Sequence, residues 1–237
     1  MTTVAVVPVK PLRRGKSRLA DVLSVQERTQ LNRYLFTHTL EVLQQVPEIE
    51  RTLVVSRDSA ALALAREYGA HTLQEQGNSQ LNLALKRATM LLRSSAVATI
   101  LVLPADLPLL TAEDVRALLA SRPRPRGVAL APSENGQGTN GLALSPLGAM
   151  EYAYGPHSFP RHLALAREAG LPVAVVTREG LARDLDWPQD LSLVATAFPE
   201  FSARGALHTA SAAATRLPAD APEAPGLPAP YPSREGL

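Results

Sequence analysis

Cysteine is absent from the 237-residue chain. Disulfide bridges, thiolate zinc sites and a cysteine nucleophile are therefore excluded, and the composition fits a reducing compartment. Long apolar runs are also missing, because the longest, residues 96–103, is far shorter than the roughly 20 residues that a membrane-spanning helix needs. No basic segment precedes the first apolar run, which disfavours a secretory signal. We expect a cytoplasmic protein with no membrane partner.

Excess charge of one sign is missing as well. The chain has 24 Lys and Arg residues against 22 Asp and Glu residues, a net charge of +2. So small an excess argues against nucleic acid as a partner. Hydrophobic residues make up 46% of the chain, which is enough for the core of one α/β domain of this length.

The composition changes near residue 198. Residues 199–237 contain seven of the 20 prolines, many alanines and few large aliphatic residues. Such a segment buries too little apolar surface to offset the entropy lost on ordering. The sequence predicts a folded domain over residues 1–198 and a Pro/Ala-rich, disordered tail over residues 199–237.

Strand and helix patterns alternate along the predicted domain. Apolar runs predict strands at residues 3–9, 52–56, 98–103, 127–131, 140–144 and 172–176. Two intervening helices open with capping boxes, Ser24 with Glu27 and Thr111 with Asp114. This order predicts an α/β fold with a mostly parallel sheet and helices on both faces. In such sheets, ligands bind beyond the carboxyl ends of the strands.

The segment after the first strand is a cation-rich loop. Residues 10–18 contain five Lys and Arg side chains and one glycine, Gly15. Gly15, Lys16 and Ser17 copy the end of a Walker A loop, but Lys10 stands where its first glycine should be. The loop could wrap a triphosphate through backbone N–H groups and cationic side chains, or it could be a solvated basic loop.

Carboxylates follow two apolar segments. Asp106 lies between two prolines at the end of the strongest predicted strand, where it could hold a divalent metal or simply shape a turn. Asp184 and Asp186 are spaced by two, which places both on one face of a short predicted strand. Asp186 could instead cap a helix that begins near Pro188. Asp106 together with one or both of Asp184 and Asp186 predicts an oxygen-liganded Mg²⁺ site.

Two further segments offer neutral ligand contacts. Residues 136–141 combine three glycines with Thr139 and Asn140, so that backbone and neutral hydrogen-bonding groups can approach a ligand. Ser158 opens a predicted helix, either as its N-cap or as part of an anion site at the helix N-terminus.

Five motifs in this order resemble one enzyme family. They read V-K-P-L-x-x-G-K-S-R-L, L-P-A-D-L-P, G-Q-G-T-N-G-L-A-L, Y-G-P-H-S-F-x-R-H and L-x-x-D-L-D-x-P-Q-D-L. Over residues 3–195 the chain resembles the 2-phospho-L-lactate or phosphoenolpyruvate guanylyltransferases of deazaflavin coenzyme (F-420) biosynthesis. The resemblance implies a three-layer α/β/α fold of the nucleotide-diphospho-sugar transferase (glycosyltransferase-A) type.

The resemblance also implies a role for individual residues. Nucleotide-binding positions are Lys10, Gly15, Lys16, Ser17, Arg18 and Asn82. Acceptor-binding positions are Thr139, Gly155 and Ser158, and metal-binding positions are Asp106 and Asp184 or Asp186. Lys16, Arg18 and Asp106 would carry catalysis, in which GMP passes from GTP to the phosphate of a small acid and pyrophosphate leaves. The chain departs from the family pattern at Gln80, His157 and Trp187.

Other interpretations stay open at this point. A nucleotidyltransferase of the same fold could act on a sugar phosphate or a molybdopterin-type acceptor, although its glycine-rich loop is absent. A regulatory nucleotide-binding module without catalysis is a second alternative, against which the three retained carboxylates argue. Among acceptors, phosphoenolpyruvate is favoured over 2-phospho-L-lactate and 3-phospho-D-glycerate. The oligomeric state is open, with a homodimer as one arrangement.

Overall fold

The fold is a seven-stranded sheet between two layers of helices. A computed structural model describes residues 2–76 and 80–197. The strands are β1 (Thr2–Pro8), β2 (Arg51–Ser56), β3 (His71–Gln74), β4 (Val97–Val102), β5 (Gly127–Pro132), β6 (Thr139–Ser145) and β7 (Val173–Val175). The predicted tail, residues 199–237, lies outside the described residues, and the boundary at residue 198 stays a prediction.

Helices connect most of these strands. They are α1 (Val25–Gln44), α2 (Ser59–Glu67), α3 (Leu81–Arg93), α4 (Ala112–Ser121), α5 (Ser158–Glu168), α6 (Glu179–Ala182) and α7 (Leu191–Ala197). Single 3₁₀ turns cover Ser17–Leu19 and Pro188–Asp190. Both predicted capping boxes are present, at the starts of α1 and α4. Within the described ranges, no helix is both long and apolar enough to cross a membrane.

The sheet order is β3-β2-β1-β4-β6-β5-β7. All neighbouring strands are parallel except β6, which runs antiparallel to both β4 and β5. The predicted mostly parallel α/β class is confirmed. The sequence analysis missed β3, a four-residue edge strand with exposed ends and no long apolar run.

Alternating strand residues supply the two faces of the core. In β1, Ala5 and Val7 pack in a cluster with α1, α2 and α4, whereas Val4 and Val6 pack in a second cluster with α3 and α5. This period-two division is what a sheet covered on both faces requires. A smaller third cluster joins Leu19 to Leu185 and α7, and it anchors the two segments that carry the site.

Candidate functional site

Three of the predicted site segments meet beyond the carboxyl ends of β1 and β4. The basic loop follows β1, and Asp106 follows β4 after a three-residue turn. The backbone N–H of Leu185 donates to the carbonyl of Asp106 at 3.0 Å, which brings the late acidic segment alongside. Tertiary folding therefore joins three segments that are far apart in the chain.

Two side chains that the sequence analysis missed hold the basic loop. The Asp58 carboxylate accepts from the backbone N–H of Leu12 at 2.8 Å, and the Asn32 amide donates to the carbonyl of Leu12 at 2.7 Å. A Cβ on Gly15 would lie 2.6 Å from Nδ2 of Asn32, so the Asn32 side chain would have to shift for any larger residue at this position. No motif marks the bonds of these two side chains to the loop, because Leu12 lies 20 positions from Asn32 and 46 positions from Asp58 in the chain.

Lys16 lies between two of the predicted metal ligands. Its Nζ donates to Asp106 at 2.8 Å and to Asp186 at 3.2 Å, and only 6% of its side chain is exposed. Burial lowers the pKa of Lys16, but the charges of Asp106 and Asp186 outweigh burial and raise it above its ordinary value. Lys16 is therefore a firmly charged ammonium at the centre of the site.

Arg18 contacts Asp186, one of the two carboxylates that Lys16 binds, from the solvent side. Its guanidinium donates to Oδ2 of Asp186 at 2.7 Å and lies over the Trp187 ring, 4.7 Å from the ring centroid. Asp186 therefore has two cationic partners, and it is not the helix cap that the sequence offered as an alternative. Trp187 occupies the N-cap position, and the carboxylate of Asp190 reaches back to accept from the backbone N–H groups of Asp186 and Trp187.

Asp184 completes the acidic group. The segment around it is extended without strand pairing, so the short strand predicted there is wrong, but Leu185 is buried as the alternation requires. Burial and then the charge of Asp106 raise the pKa of Asp184, while a hydrogen bond from Asn140 acts in the opposite direction. Residues 2–76 and 80–197 contain no group of three His, Asp or Glu side chains arranged to hold a metal ion.

Two of the three predicted acceptor residues, Thr139 and Ser158, belong to a buried network. Oγ of Ser158 accepts from the backbone N–H of Thr139 at 2.9 Å, and the Thr139 hydroxyl pairs with Nδ1 of His162 at 2.9 Å. Ser158 is the first residue of α5 and not its N-cap, because His157 occupies the cap position without a side-chain capping bond. The Ser158 hydroxyl is thus committed to β6, the strand that Thr139 begins. Gly155 has φ +127° and lies beside open space.

Asn82 binds protein backbone. Its Nδ2 donates to the carbonyl of Tyr154 at 3.0 Å, and its Oδ1 accepts from the N–H of Tyr154 at 2.8 Å. The amide therefore ties the start of α3 to the loop that carries Gly155. Both polar atoms of the Asn82 amide already bond to Tyr154. The predicted contact of Asn82 with the base or ribose would be an additional bond of this amide, and the contact stays a prediction.

Two cavities flank the charged cluster. The smaller, about 310 Å³, is lined by Lys10, Gly15, Lys16 and Asp106 among others, and the larger, about 490 Å³, by Arg18, Gly155, Asp184 and Trp187 among others. Asp186 lines both. Ser17, Asn82, Thr139 and Ser158 line neither of these two cavities. Of the predicted nucleotide positions, Lys10, Gly15 and Lys16 line the smaller cavity and Arg18 lines the larger one. Of the predicted acceptor positions, Gly155 alone lines the larger cavity, and the roles of all these residues stay predictions.

Residues 3–197 match the family model described as "Guanylyl transferase CofC like". The protein named Phosphoenolpyruvate guanylyltransferase of Sphaerobacter thermophilus is 43% identical over 198 residues, covering 82% of this chain and 93% of that protein. The protein named 2-phospho-L-lactate guanylyltransferase of Methanothermobacter thermautotrophicus is 36% identical over 191 residues, covering 81% of this chain and 83% of that protein.

Solved structures share the fold at low sequence identity. A protein of Desulfovibrio desulfuricans G20, assigned to the nucleotide-diphospho-sugar transferases, superposes with a TM-score of 0.68 at 16% identity, covering 91% of this chain and 95% of that one. CMP:2-keto-3-deoxy-manno-octonic acid synthetase in complex with CTP superposes with a TM-score of 0.59 at 13% identity, covering 84% of this chain and 99% of that one. The predicted nucleotide-diphospho-sugar transferase type of fold is confirmed.

Proposed function

The chain belongs to the CofC-like guanylyltransferase family, and from that membership we propose that it transfers GMP from GTP to the phosphate of phosphoenolpyruvate and releases pyrophosphate. The chain is a nucleotidyltransferase of coenzyme F-420 biosynthesis, as the family implies. Phosphoenolpyruvate is our choice of acceptor because the relatives from Sphaerobacter, Roseiflexus and Rubrobacter bear that name at 40–43% identity. 2-Phospho-L-lactate is the second acceptor to test, on the name of the methanogen protein.

The observation that best supports this function is a pair of cavities that share Asp186 as a lining residue. We assign GTP to the smaller cavity, where the basic loop places Lys10 and Lys16, and the acceptor to the larger cavity beside Gly155. The ends of two anionic substrates would then meet at the charged cluster. Arg18 lines the acceptor side, so we extend its predicted role from the triphosphate to the acceptor anion.

The transfer needs charge neutralisation more than proton transfer. A phosphate oxygen of the acceptor forms a bond to the α-phosphorus of GTP, and the bond from that phosphorus to the bridging oxygen of pyrophosphate breaks. The attacking oxygen is already ionised, so no general base is required. Lys16 and Arg18 stabilise the negative charge that gathers on the phosphates.

The residue types at the centre fit a divalent cation. Carboxylate oxygens are the ligands that Mg²⁺ prefers, and Asp106 and Asp186 lie close enough together for one cation, the Lys16 ammonium, to bond to both. We propose that Asp106, Asp184 and Asp186 hold Mg²⁺, which would neutralise phosphate charge when bound. Lys16 bonds to Oδ2 of Asp106 and to Oδ1 of Asp186, so the ion would share these two carboxylates with the ammonium.

Pyrophosphate release tests this function. The purified chain with GTP and Mg²⁺ should release pyrophosphate only when phosphoenolpyruvate or 2-phospho-L-lactate is added. Asp106→Asn should lower kcat/KM roughly a hundredfold or more. The matched control is Asp21→Asn, because Asp21 is exposed and lines neither cavity. Release with a sugar phosphate instead, or unchanged activity in Asp106→Asn, would refute the acceptor or the site respectively.

A further inference from the structure

Trp187 is an exposed aromatic side chain at the mouth of the larger cavity. It is the only tryptophan in the chain, half of it is exposed, and it belongs to none of the three hydrophobic clusters of the described residues. Its backbone N–H donates to Asp190 at 2.7 Å, and Pro188 follows it. The ring therefore stands on a fixed turn although it adds little to the core.

Arg18 is held in place by two groups, the Trp187 indole and the Asp186 carboxylate. The guanidinium carbon lies 4.7 Å from the Trp187 ring centroid, while one terminal nitrogen donates to Asp186 at 2.7 Å. More than half of the Arg18 side chain is exposed, so without these contacts its rotamers would be free. Contact with a ring face uses none of the five N–H donors, so the remaining donors at the guanidinium edge stay available to an anion.

Resting on the proposed function, we propose that Trp187 is a positioning residue that presents the Arg18 guanidinium to the anionic acceptor, a small phosphorylated carboxylic acid. Arg18 lines the larger cavity and not the smaller one that Lys10 and Lys16 line. Its orientation therefore affects the acceptor side of the site. Preorganisation of this kind lowers the entropy that is lost when the acid binds, so its effect falls on acceptor affinity.

Steady-state kinetics of Trp187→Leu and Trp187→Phe test this role. Leu removes the ring face, and Phe keeps an aromatic face. We expect Trp187→Leu to raise KM for phosphoenolpyruvate about two- to fivefold, the factor that an exposed cation–π contact supplies, with KM for GTP unchanged. Trp187→Phe should recover most of the acceptor affinity. Met90→Ala is the matched control, because Met90 is an exposed apolar residue on α3 away from both cavities.

A double-variant cycle separates positioning from a general surface effect. If Trp187 acts through Arg18, Trp187→Leu should raise the acceptor KM no further in an Arg18→Gln background. A loss that is equal in both backgrounds, or that raises KM for GTP and for the acceptor alike, would overturn the proposal. So would an acceptor KM that is unchanged in Trp187→Leu.

Fluorescence supplies a readout that needs no turnover. Because Trp187 is the sole tryptophan, the emission reports on the surroundings of this one ring when tyrosine is not excited. Adding phosphoenolpyruvate should change the emission of the wild-type chain and leave that of Arg18→Gln unchanged; an equal change in both, or no change in the wild type, would contradict the proposal. Absence of pyrophosphate release by the wild type would instead refute the proposed function.

Discussion

Acid should destabilise the protein through His162, the buried base of the acceptor network. His162 is fully buried, and its Nε2 accepts from the backbone N–H of Ala153 at 2.9 Å. A backbone N–H can only donate, so Nε2 carries no proton in the folded chain. The remaining proton of the neutral ring lies on Nδ1, which donates it to the Thr139 hydroxyl. Protonation of Nε2 would leave Ala153 without its acceptor and would bury a charge.

The magnitude follows from proton linkage. Burial and then the charge of Arg161 lower the pKa of His162 from 6.5 to about 4. Between these values the unfolded chain binds a proton at His162 and the folded chain does not, so the free energy of unfolding falls as the pH falls. The loss attributable to His162 is about 1 kcal/mol at pH 6 and about 2 kcal/mol at pH 5, relative to pH 8.

Urea unfolding at several pH values measures this loss. His162→Gln lowers stability at every pH because it disturbs the network, but it removes the titrating group. The difference in unfolding free energy between wild type and variant should therefore shrink by about 2 kcal/mol from pH 8 to pH 5. Burial also lowers the pKa of His38, so His38→Gln is the comparison that accounts for the second buried histidine. Parallel pH profiles for wild type and His162→Gln would refute the assignment.

Three further substitutions test how the loops are held. Gly15→Ala places a Cβ 2.6 Å from Asn32, which must move, so KM for GTP should rise while KM for the acceptor changes less. Unchanged GTP kinetics would show that the loop adapts without cost. Ser158→Ala leaves the buried N–H of Thr139 unpaired and should lower the unfolding free energy by about 1–3 kcal/mol, measured by urea titration. An unaltered stability would mean that another group takes over as acceptor. Asn82→Ala frees the loop around Gly155 and should raise KM for the acceptor. A rise in KM for GTP alone would instead support the predicted contact with the base.

Local patterns in the sequence determined most of the fold. Apolar runs predicted β1, β2 and β4 within about two residues, and the two capping boxes located the starts of α1 and α4. These features are readable because they depend on neighbours within a few positions of the chain. The direction of β6 was not readable, since a buried strand has the same apolar pattern whether it pairs parallel or antiparallel.

The sequence also determined which residue types reach the site. Lys16 and Asp106 lie in loops that follow strands, and both, like Asp186, belong to motifs that resemble one family. Their partners were decided by tertiary structure alone. Lys16 pairs with carboxylates 90 and 170 positions away, and Asn82 with a backbone 72 positions away. Ser158 resembles an N-cap from its neighbours, yet it bonds to β6 because packing of α5 against the sheet brings a buried N–H within reach. A polar side chain binds whichever unpaired group lies closest in space, and only the folded chain decides which group that is.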